Sequence, residues 1–312
     1  MTMSASTSAD SKVLADFHTH LEKSGRICAL LGAGLSASSG LPTFRGAGGL
    51  WRTNDAMTLA TPEAFDADPS LVWQFYSYRR HMALNAQPNP AHYALAQLAK
   101  KNSNFLTLSQ NVDGLSPRAG HPADQLKLLH GNLYDLKCRN KKCGYTEKNN
   151  YTDPLVPSLA IPQAEDGAET NPLIRGLDIS DEKHKIRDIP TSELPQCPSC
   201  KKELLRPGVV WFGEALPTDV LHDVDAFFSA SDQVDLMLVI GTSGTVFPAA
   251  AYMRIAKQKG ARVAVINPDP SSGNGLDTKR DWFFQEDAAT ALPAMLKPII
   301  GEIKMAESKG SL

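Results

Sequence analysis

Apolar and polar positions follow three different patterns along this chain. Short, nearly unbroken apolar runs occupy Arg26–Leu31, Asn104–Leu108, Asp124–Leu129, Val234–Ile240 and Arg262–Ile266. A run with no polar alternation has both faces buried, which predicts strands of a parallel sheet rather than an open antiparallel one. Between these runs, Pro90–Lys101 and Pro248–Lys259 carry apolar residues at helical spacing, and a further helix is expected over Ala288–Ile300. Strands alternating with helices predict a doubly wound α/β domain. From Asn149 to Pro195 the pattern disappears: Pro, Asp, Glu, Asn and Ser dominate without a period, as in a polar excursion from the fold. No internal repeat of fixed period is present, and Ser271–Gly275 reads as a loop.

Length and composition narrow the classes. A chain of 312 residues is long enough for one large domain and a smaller one. With 42% hydrophobic, 21% charged and 7% aromatic residues it is an ordinary globular protein, not a disordered or fibrous one. A formal charge of −2 and a pI near 6.4 give no global attraction to nucleic acid or to an anionic membrane. No apolar run approaches the roughly 20 residues of a membrane helix. Residues 1–11 and 301–312 are expected to be flexible termini. Met1–Asp10 has neither an Arg nor an apolar stretch, so a frayed tip is expected there rather than a secretory signal.

The first apolar run ends in Gly32-Ala33-Gly34-Leu35-Ser36-Ala37, which fits G-x-G-x-x-A. Missing side chains in such a turn let a diphosphate approach backbone N–H groups at a helix start. A small-residue turn without a ligand stays open as the plainer explanation. A dehydrogenase is disfavoured, because no acidic residue stands about 20 positions on to hold the ribose. Gly40–Gly46 and Gly48–Trp51 follow instead, a loop with an aromatic and a cation just past the turn.

Four of the five cysteines form two close pairs, Cys138-x4-Cys143 and Cys197-x2-Cys200. In a chain without an export signal this favours one tetrahedral Zn²⁺ over disulfides, and four thiolates leave no position for water, which makes the site structural. Cys28, inside an apolar run, reads as a small core residue. His130 closes the apolar run Lys127-Leu128-Leu129, at a strand end where ligand chemistry gathers in α/β sheets. Its ordinary pKa suits a general base near neutrality. Gln110, Asn111 and Asp113 follow another strand end; ligand contact and a simple Asx turn both explain them. Tyr76 and Arg79, three apart, share one helix face. A guanidinium there clamps a carboxylate bidentately or is simply solvated. Val209–Glu214 has an extended bias, either to receive a substrate peptide by strand addition or to form a core strand.

Taken together, Gly32–Trp51, Ser109–Leu115, His130-Gly131, Gly241-Thr242-Ser243 and Asn267 resemble, in order and spacing, the NAD-binding segments of sirtuins from about residue 12 to 298. The resemblance implies a Rossmann-like doubly wound parallel sheet with a smaller inserted domain carrying a four-cysteine zinc module. The corresponding division is 12–43, 89–132 and 205–300 for the NAD-binding domain, 44–88 for a helical insert lining the acyl pocket, and 133–204 for the zinc module. The first cysteine pair and the stretch between the pairs are longer than in compact sirtuins, so a larger module is expected.

The activity implied is NAD-dependent protein-lysine deacylation. The acyl-lysine carbonyl oxygen displaces nicotinamide from the ribose, and a base, His130, then deprotonates a ribose hydroxyl. Nicotinamide and O-acyl-ADP-ribose result. By the same resemblance Gly32, Ala33, Gly34, Ser36 and Trp51 belong to the NAD site with Gln110, which lies beside Asn111 and Asp113. Asn111 orders the ribose or a water, Asp113 recognises the nicotinamide amide, Phe44 shields the sugar face, and Arg45 orders the loop or contacts phosphate. Gly241, Thr242, Ser243, Asn267 and Asp269 contact adenosine and its ribose, and Ala288 lies near the base.

Val210, Trp211, Phe212, Gly213 and Glu214 are the peptide-binding candidates. Tyr76, Arg79 and Ala60 resemble the residues by which class III sirtuins accept succinyl, malonyl and glutaryl groups, which implies weaker deacetylation. Partners expected are acylated lysine side chains of proteins, with no nucleic acid and no membrane, for a monomer in the cytosol or nucleus ahead of the mitochondrion. Mono-ADP-ribosyl transfer and plain deacetylation are the nearest other activities. A zinc-ribbon binding module on an inactive scaffold is the reading of another class, opposed by the acidic pI and the intact Gln110, Asn111, Asp113 and His130.

Overall fold

A computed structural model describes residues 8–43, 49–163, 172–174, 176–242, 244 and 249–303, with the side chains of 8–10 left out. Six parallel strands form the main sheet: β1 (Ile27–Leu31), β4 (Phe105–Ser109), β5 (Leu126–Leu128), β9 (Leu236–Ile240), β10 (Arg262–Ile266) and β11 (Trp282–Phe284). Their spatial order is β11-β10-β9-β1-β4-β5, so the chain reverses direction of travel across the sheet at β1. Every residue of β1, β4 and β9 is buried, the both-faces burial that the unbroken apolar runs require.

Helices α5 (Pro90–Lys101) and α9 (Ala288–Ile300) pack with β1, β4, β9 and β10 in one core. α7 (Thr218–Ser229) and α8 (Ala251–Gln258) belong to a second core on the same strands. α5 and α9 have the limits the sequence predicts. α8 starts later than the expected Pro248, which lies outside the described residues. β5 is three residues long, shorter than Asp124–Leu129 suggested, because Leu129 and His130 already turn away.

The amino-terminal expectation is corrected. Helix α1 runs Ser8–Leu21, and its Phe17 and Leu21 are fully buried in the sheet core, where apolar burial outweighs the helix-poor Ser and Asp at its start. At the other end Ile303 packs on the same core, so 301–312 is not flexible throughout.

A second sheet is antiparallel, in the order β7-β6-β8, with β6 (Gly131–Cys138), β7 (Thr146–Glu147) and β8 (Leu205–Val209). The extended segment anticipated at Val209–Glu214 therefore lies earlier: β8 pairs with β6 and ends at Val209, and the chain turns at Gly213 with φ +85°. Between β2 (Leu50–Trp51) paired with β3 (Asn54–Asp55) and α5 stand α2 (Ala56–Leu59), α3 (Pro62–Ala67) and α4 (Pro69–Asn85). α4 joins β6, β8 and the polar excursion in a third core. Among its described residues the excursion is irregular apart from two 3₁₀ turns, yet it is anchored: Leu159, Ile174, Ile179, Ile189 and Leu194 are buried in that core.

Candidate active site and metal centre

The carboxyl ends of the parallel strands line up. Leu31 is in register with both Ser109 and Ile240, and the ladder continues one residue further, with Gln110 N donating to Leu31 O (3.0 Å) and Gly32 N to Ile240 O (2.9 Å). Leu129 N donates to Ser109 O at 2.9 Å, which delivers His130 to the same edge. Gly32, Gln110, His130, Gly241 and Asn267 thus come from five strands to one rim, the place where open α/β sheets bind ligands.

The two glycines of the first turn have a packing reason as well. A Cβ on Gly34 would sit 2.7 Å from Gly241 Cα, and one on Gly32 would sit 2.5 Å from Thr242 Cβ. Backbone presses on backbone here, with Gly34 N donating to Gly241 O at 2.9 Å. The turn continues as a 3₁₀ segment, Ala33–Ser39, rather than the α-helix start expected. Asn267 Nδ2 donates to Thr242 O (3.2 Å), tying two strand-end loops together. Asp269 accepts from Ser271 N, and Ala288 is the buried first residue of α9. Trp51 is buried against Phe75 and Tyr78. Phe44, Arg45 and Ser243 lie outside the described residues.

At the rim's centre Asp113 accepts from Ser36 Oγ (2.7 Å) and from Leu115 N (2.9 Å), so the Asx turn and a link to the first turn are both present. Asn111 Nδ2 donates to Gly32 O at 3.0 Å. Gln110 presents a buried Nε2 that makes no hydrogen bond, and a buried unpartnered amide at a site edge suits a ligand acceptor. His130 is half-buried, and its Nδ1 lies 3.1 Å from Gln110 O. A carbonyl only accepts, so Nδ1 carries the proton and Nε2 of the neutral ring keeps its lone pair. Burial pulls the His130 pKa below the usual histidine value, opposed by the bond to Gln110, and so favours this neutral base.

Sequence reading missed the support behind this set. Asn89 caps α5 through its side chain, and its backbone N donates to His92 Nδ1 (3.2 Å) in a capping box. Nε2 of His92 is then the donor, 3.5 Å from Ser36 Oγ, while Asn89 Nδ2 donates to Leu35 O at 2.8 Å. Burial pushes His92 down to about 4. The Asn89-Pro90-x-His92 spacing was the available signal.

The acyl-pocket candidates meet on α4 and the turn after β8. Tyr76 is fully buried, and Trp211 Nε1 donates to its hydroxyl at 2.9 Å. The Arg79 guanidinium stands 5.5 Å from the centre of the Tyr76 ring and is partly exposed. Burial lowers its pKa against the pull of Tyr76 and Asp113, and arginine remains charged from so high a starting value. Ala60 is buried, with its carbonyl accepting from Phe212 N at 2.9 Å. Val210 N donates to His130 O (2.8 Å), linking this turn to the rim. Phe212 is partly exposed; Glu214 is engaged by Arg206 at 2.6 and 2.9 Å.

The four cysteines converge. Their sulfurs lie within 4.8 Å of one another, with Cys138 to Cys200 at 3.7 Å and Cys143 to Cys197 at 3.8 Å. A tetrahedron with Zn–S of about 2.3 Å has edges of about 3.8 Å, which these two distances match and the remaining ones approach to within about 1 Å, so the set fits Zn²⁺. All four are free thiols rather than disulfides. Backbone N–H groups pull Cys143 down to about 7 and lower Cys200 too, whereas burial pushes Cys138 up to about 12, a cost that a bound cation would offset. Cys28, by contrast, is buried in β1, and burial raises its pKa.

Known proteins resemble this chain in sequence and in fold. The Sir2 family model matches residues 32–248. A protein of Candida albicans named NAD-dependent protein deacylase is 47% identical over 306 residues, 94% of this chain and 99% of its own. The Xenopus tropicalis protein named NAD-dependent protein deacylase sirtuin-5, mitochondrial, is 40% identical over 90% of this chain and 84% of its own. Among solved structures, a crystal structure of a Sir2 homologue with NAD superposes with a TM-score of 0.71 at 33% identity, covering 95% of this chain and 96% of that one. The carboxyl-edge rim, the thiol cluster and these matches lead to one conclusion: the chain belongs to the Sir2 family, the sirtuins.

Proposed function

We propose that this protein is an NAD-dependent protein-lysine deacylase that removes succinyl, malonyl or glutaryl groups in preference to acetyl. The observation that carries the activity is the rim itself: His130 with a free Nε2, Gln110 with an unpartnered buried amide, and Asp113 fixed by Ser36. Bound NAD supplies a nicotinamide leaving group on its ribose, which the substrate's acyl oxygen displaces. The turn from Gly32 to Ser36 holds the diphosphate, assisted by Arg45. Gly241, Thr242, Ser243, Asn267, Asp269 and Ala288 hold the adenosine half. Gln110, Asn111 and Asp113 orient the nicotinamide and its ribose, and Phe44 and Trp51 shield them from water. His130 takes a proton from a ribose hydroxyl at Nε2, that oxygen takes over the acyl carbon, and one water is consumed as the lysine leaves, so the products are nicotinamide, O-acyl-ADP-ribose and free lysine.

The acidic preference rests on Tyr76 and Arg79 three residues apart on α4, with the small Ala60 buried in the same core as Tyr76. A cation and a hydroxyl are the donors a terminal carboxylate needs, and an acetyl group offers nothing to them. The relatives named sirtuin-5 support the same reading. Val210, Phe212 and Gly213, at the end of an edge strand, receive the peptide backbone. The partners are acylated proteins, met by a monomer in the cytosol or nucleus, although the sirtuin-5 relatives carry a mitochondrial designation. Arg79→Met is the test: succinyl-peptide kcat/KM should fall by about 10-fold to 100-fold, with a much smaller loss on acetyl-peptide. Equal losses on both substrates would refute the carboxylate clamp.

A further inference from the structure

Trp211 is enclosed, at 1% exposure. Its place is fixed from four sides. The Arg206 guanidinium lies 3.4 Å above the indole, and Arg206 grips Glu214 through both carboxylate oxygens. Glu214 in turn accepts from Trp211 N at 2.9 Å, and Phe65 packs on the indole at 5.4 Å between ring centres. The indole's one polar atom, Nε1, donates to the Tyr76 hydroxyl oxygen at 2.9 Å.

An indole N–H only donates, so this bond fixes the Tyr76 oxygen as acceptor and leaves its O–H proton for another partner. The Arg79 guanidinium lies over the Tyr76 ring, 5.5 Å from its centre, and it too can only donate. With the indole donor on the phenol oxygen, the phenol's proton is directed away from the indole. Burial raises the Tyr76 pKa, which keeps that proton on the oxygen.

We propose that Trp211 is a specificity-determining positioning residue: by donating to Tyr76 it orients the phenol proton outward beside Arg79, making the pair a two-donor receptor for the carboxylate of an acidic acyl group. This inference rests on the acidic-acyl reading and extends it to a residue outside the pocket. A phenylalanine at 211 would keep the aromatic packing and remove only the N–H, freeing the Tyr76 hydroxyl to rotate.

The test is a double-mutant cycle of Trp211→Phe and Tyr76→Phe, reading the ratio of succinyl to acetyl kcat/KM, with circular dichroism to verify folding. The wild-type ratio tests the acidic-acyl reading alone; a wild-type enzyme without succinyl preference ends that reading and this inference with it. Given a wild-type preference, each single variant should lower the ratio about tenfold, mainly through KM for the succinyl peptide. The double variant should then be no worse than Tyr76→Phe, because both changes remove one device. An unchanged ratio in Trp211→Phe, or losses that multiply in the double variant, would overturn the role of Trp211 and leave the clamp standing. Should Trp211→Phe not fold, the indole N–H resonances give a second reading. One of the four tryptophan signals should shift in Tyr76→Phe, and four unmoved signals overturn the inference.

Discussion

The six-stranded parallel sheet and the three-stranded antiparallel sheet reach stability by different means. The parallel sheet is held by continuous burial: β1, β4 and β9 are buried through their length and covered by helices on both sides. The antiparallel sheet has single anchors instead. Its long excursion is tied to α4 by Arg80, which donates to Leu133 O, Asn150 O and Thr152 O, and by the Trp73 indole on Leu205 O. Arg52 holds the carbonyls of Ile179 and Asp181, and four thiols converge at the far end. One region carries the chemistry on a self-sufficient scaffold; the other depends on a few polar contacts and a metal to shape the acyl pocket.

The sharpest way to break that comparison is to remove the metal. Cys138 and Cys197 belong to the same core as Tyr76 and Trp211, so losing the ion loosens the pocket as well as the cysteine-bearing turns. Structural zinc is worth on the order of 10 kcal/mol in small domains. Chelation, or Cys197→Ser, should abolish deacylation and lower Tm by about 10 °C or more, while most of the circular dichroism of the sheet and its helices survives. A single cooperative loss of all structure would contradict the division of labour.

His130→Ala should do the reverse. Among the described residues its ring makes one hydrogen bond, to Gln110 O, so Tm should stay nearly constant while kcat/KM falls by about 10²-fold to 10⁴-fold. Calorimetry beside steady-state kinetics checks both halves.

A smaller change probes the joint between the turns. Gly34→Ala places a methyl 2.7 Å from Gly241 Cα and 2.9 Å from Gly241 O, where backbone on both sides leaves no flexible neighbour to yield. A loss of about 1–3 kcal/mol in stability is expected, with weaker NAD binding, measurable by denaturant titration and calorimetric titration. A neutral result would mean the turns are not in contact.

The smallest effect is with pH. Burial lowers the pKa of His92, His121 and His130, so the folded state binds fewer protons than the unfolded one below the ordinary histidine value. Their contribution is fully present above about pH 6.5 and is lost as pH falls toward the folded values, about 4 for His92. Melting curves between pH 7 and 4.5 should show a declining Tm, and the acid limb of kcat/KM should lie below pH 6.5. A flat Tm across that window would contradict the buried, neutral state of these rings.

Much of the scaffold was legible because strands buried on both faces must be apolar at every position, which is a local signal. The limits of α5 were legible for a similar reason, since Pro90 suits a first helical position and helical spacing follows it. β11 escaped notice: it is three residues at the sheet edge, behind a charged turn. The rim candidates Gly32, Gln110, His130, Gly241 and Asn267 each stand directly after an apolar run, so topology rather than sequence distance brings them together. What sequence could not convey is contact between distant residues. His92 reads as a helical residue until Ser36 is seen beside it, and Arg206, Glu214 and Trp211 become a unit only when the chain turns at Gly213. The anchors Ile174, Ile179 and Ile189 lie singly among polar residues and give no period to detect.

The central claim is that a substrate's acyl oxygen displaces nicotinamide from NAD at a rim whose base is His130. The most direct measurement is the stoichiometry of nicotinamide release by the purified protein given NAD and a succinyl-lysine peptide. One nicotinamide per lysine freed, with O-succinyl-ADP-ribose formed alongside and none of the three from His130→Ala, is the predicted result. Peptide deacylated without nicotinamide release, or nicotinamide released equally well with no acylated peptide present, would contradict it.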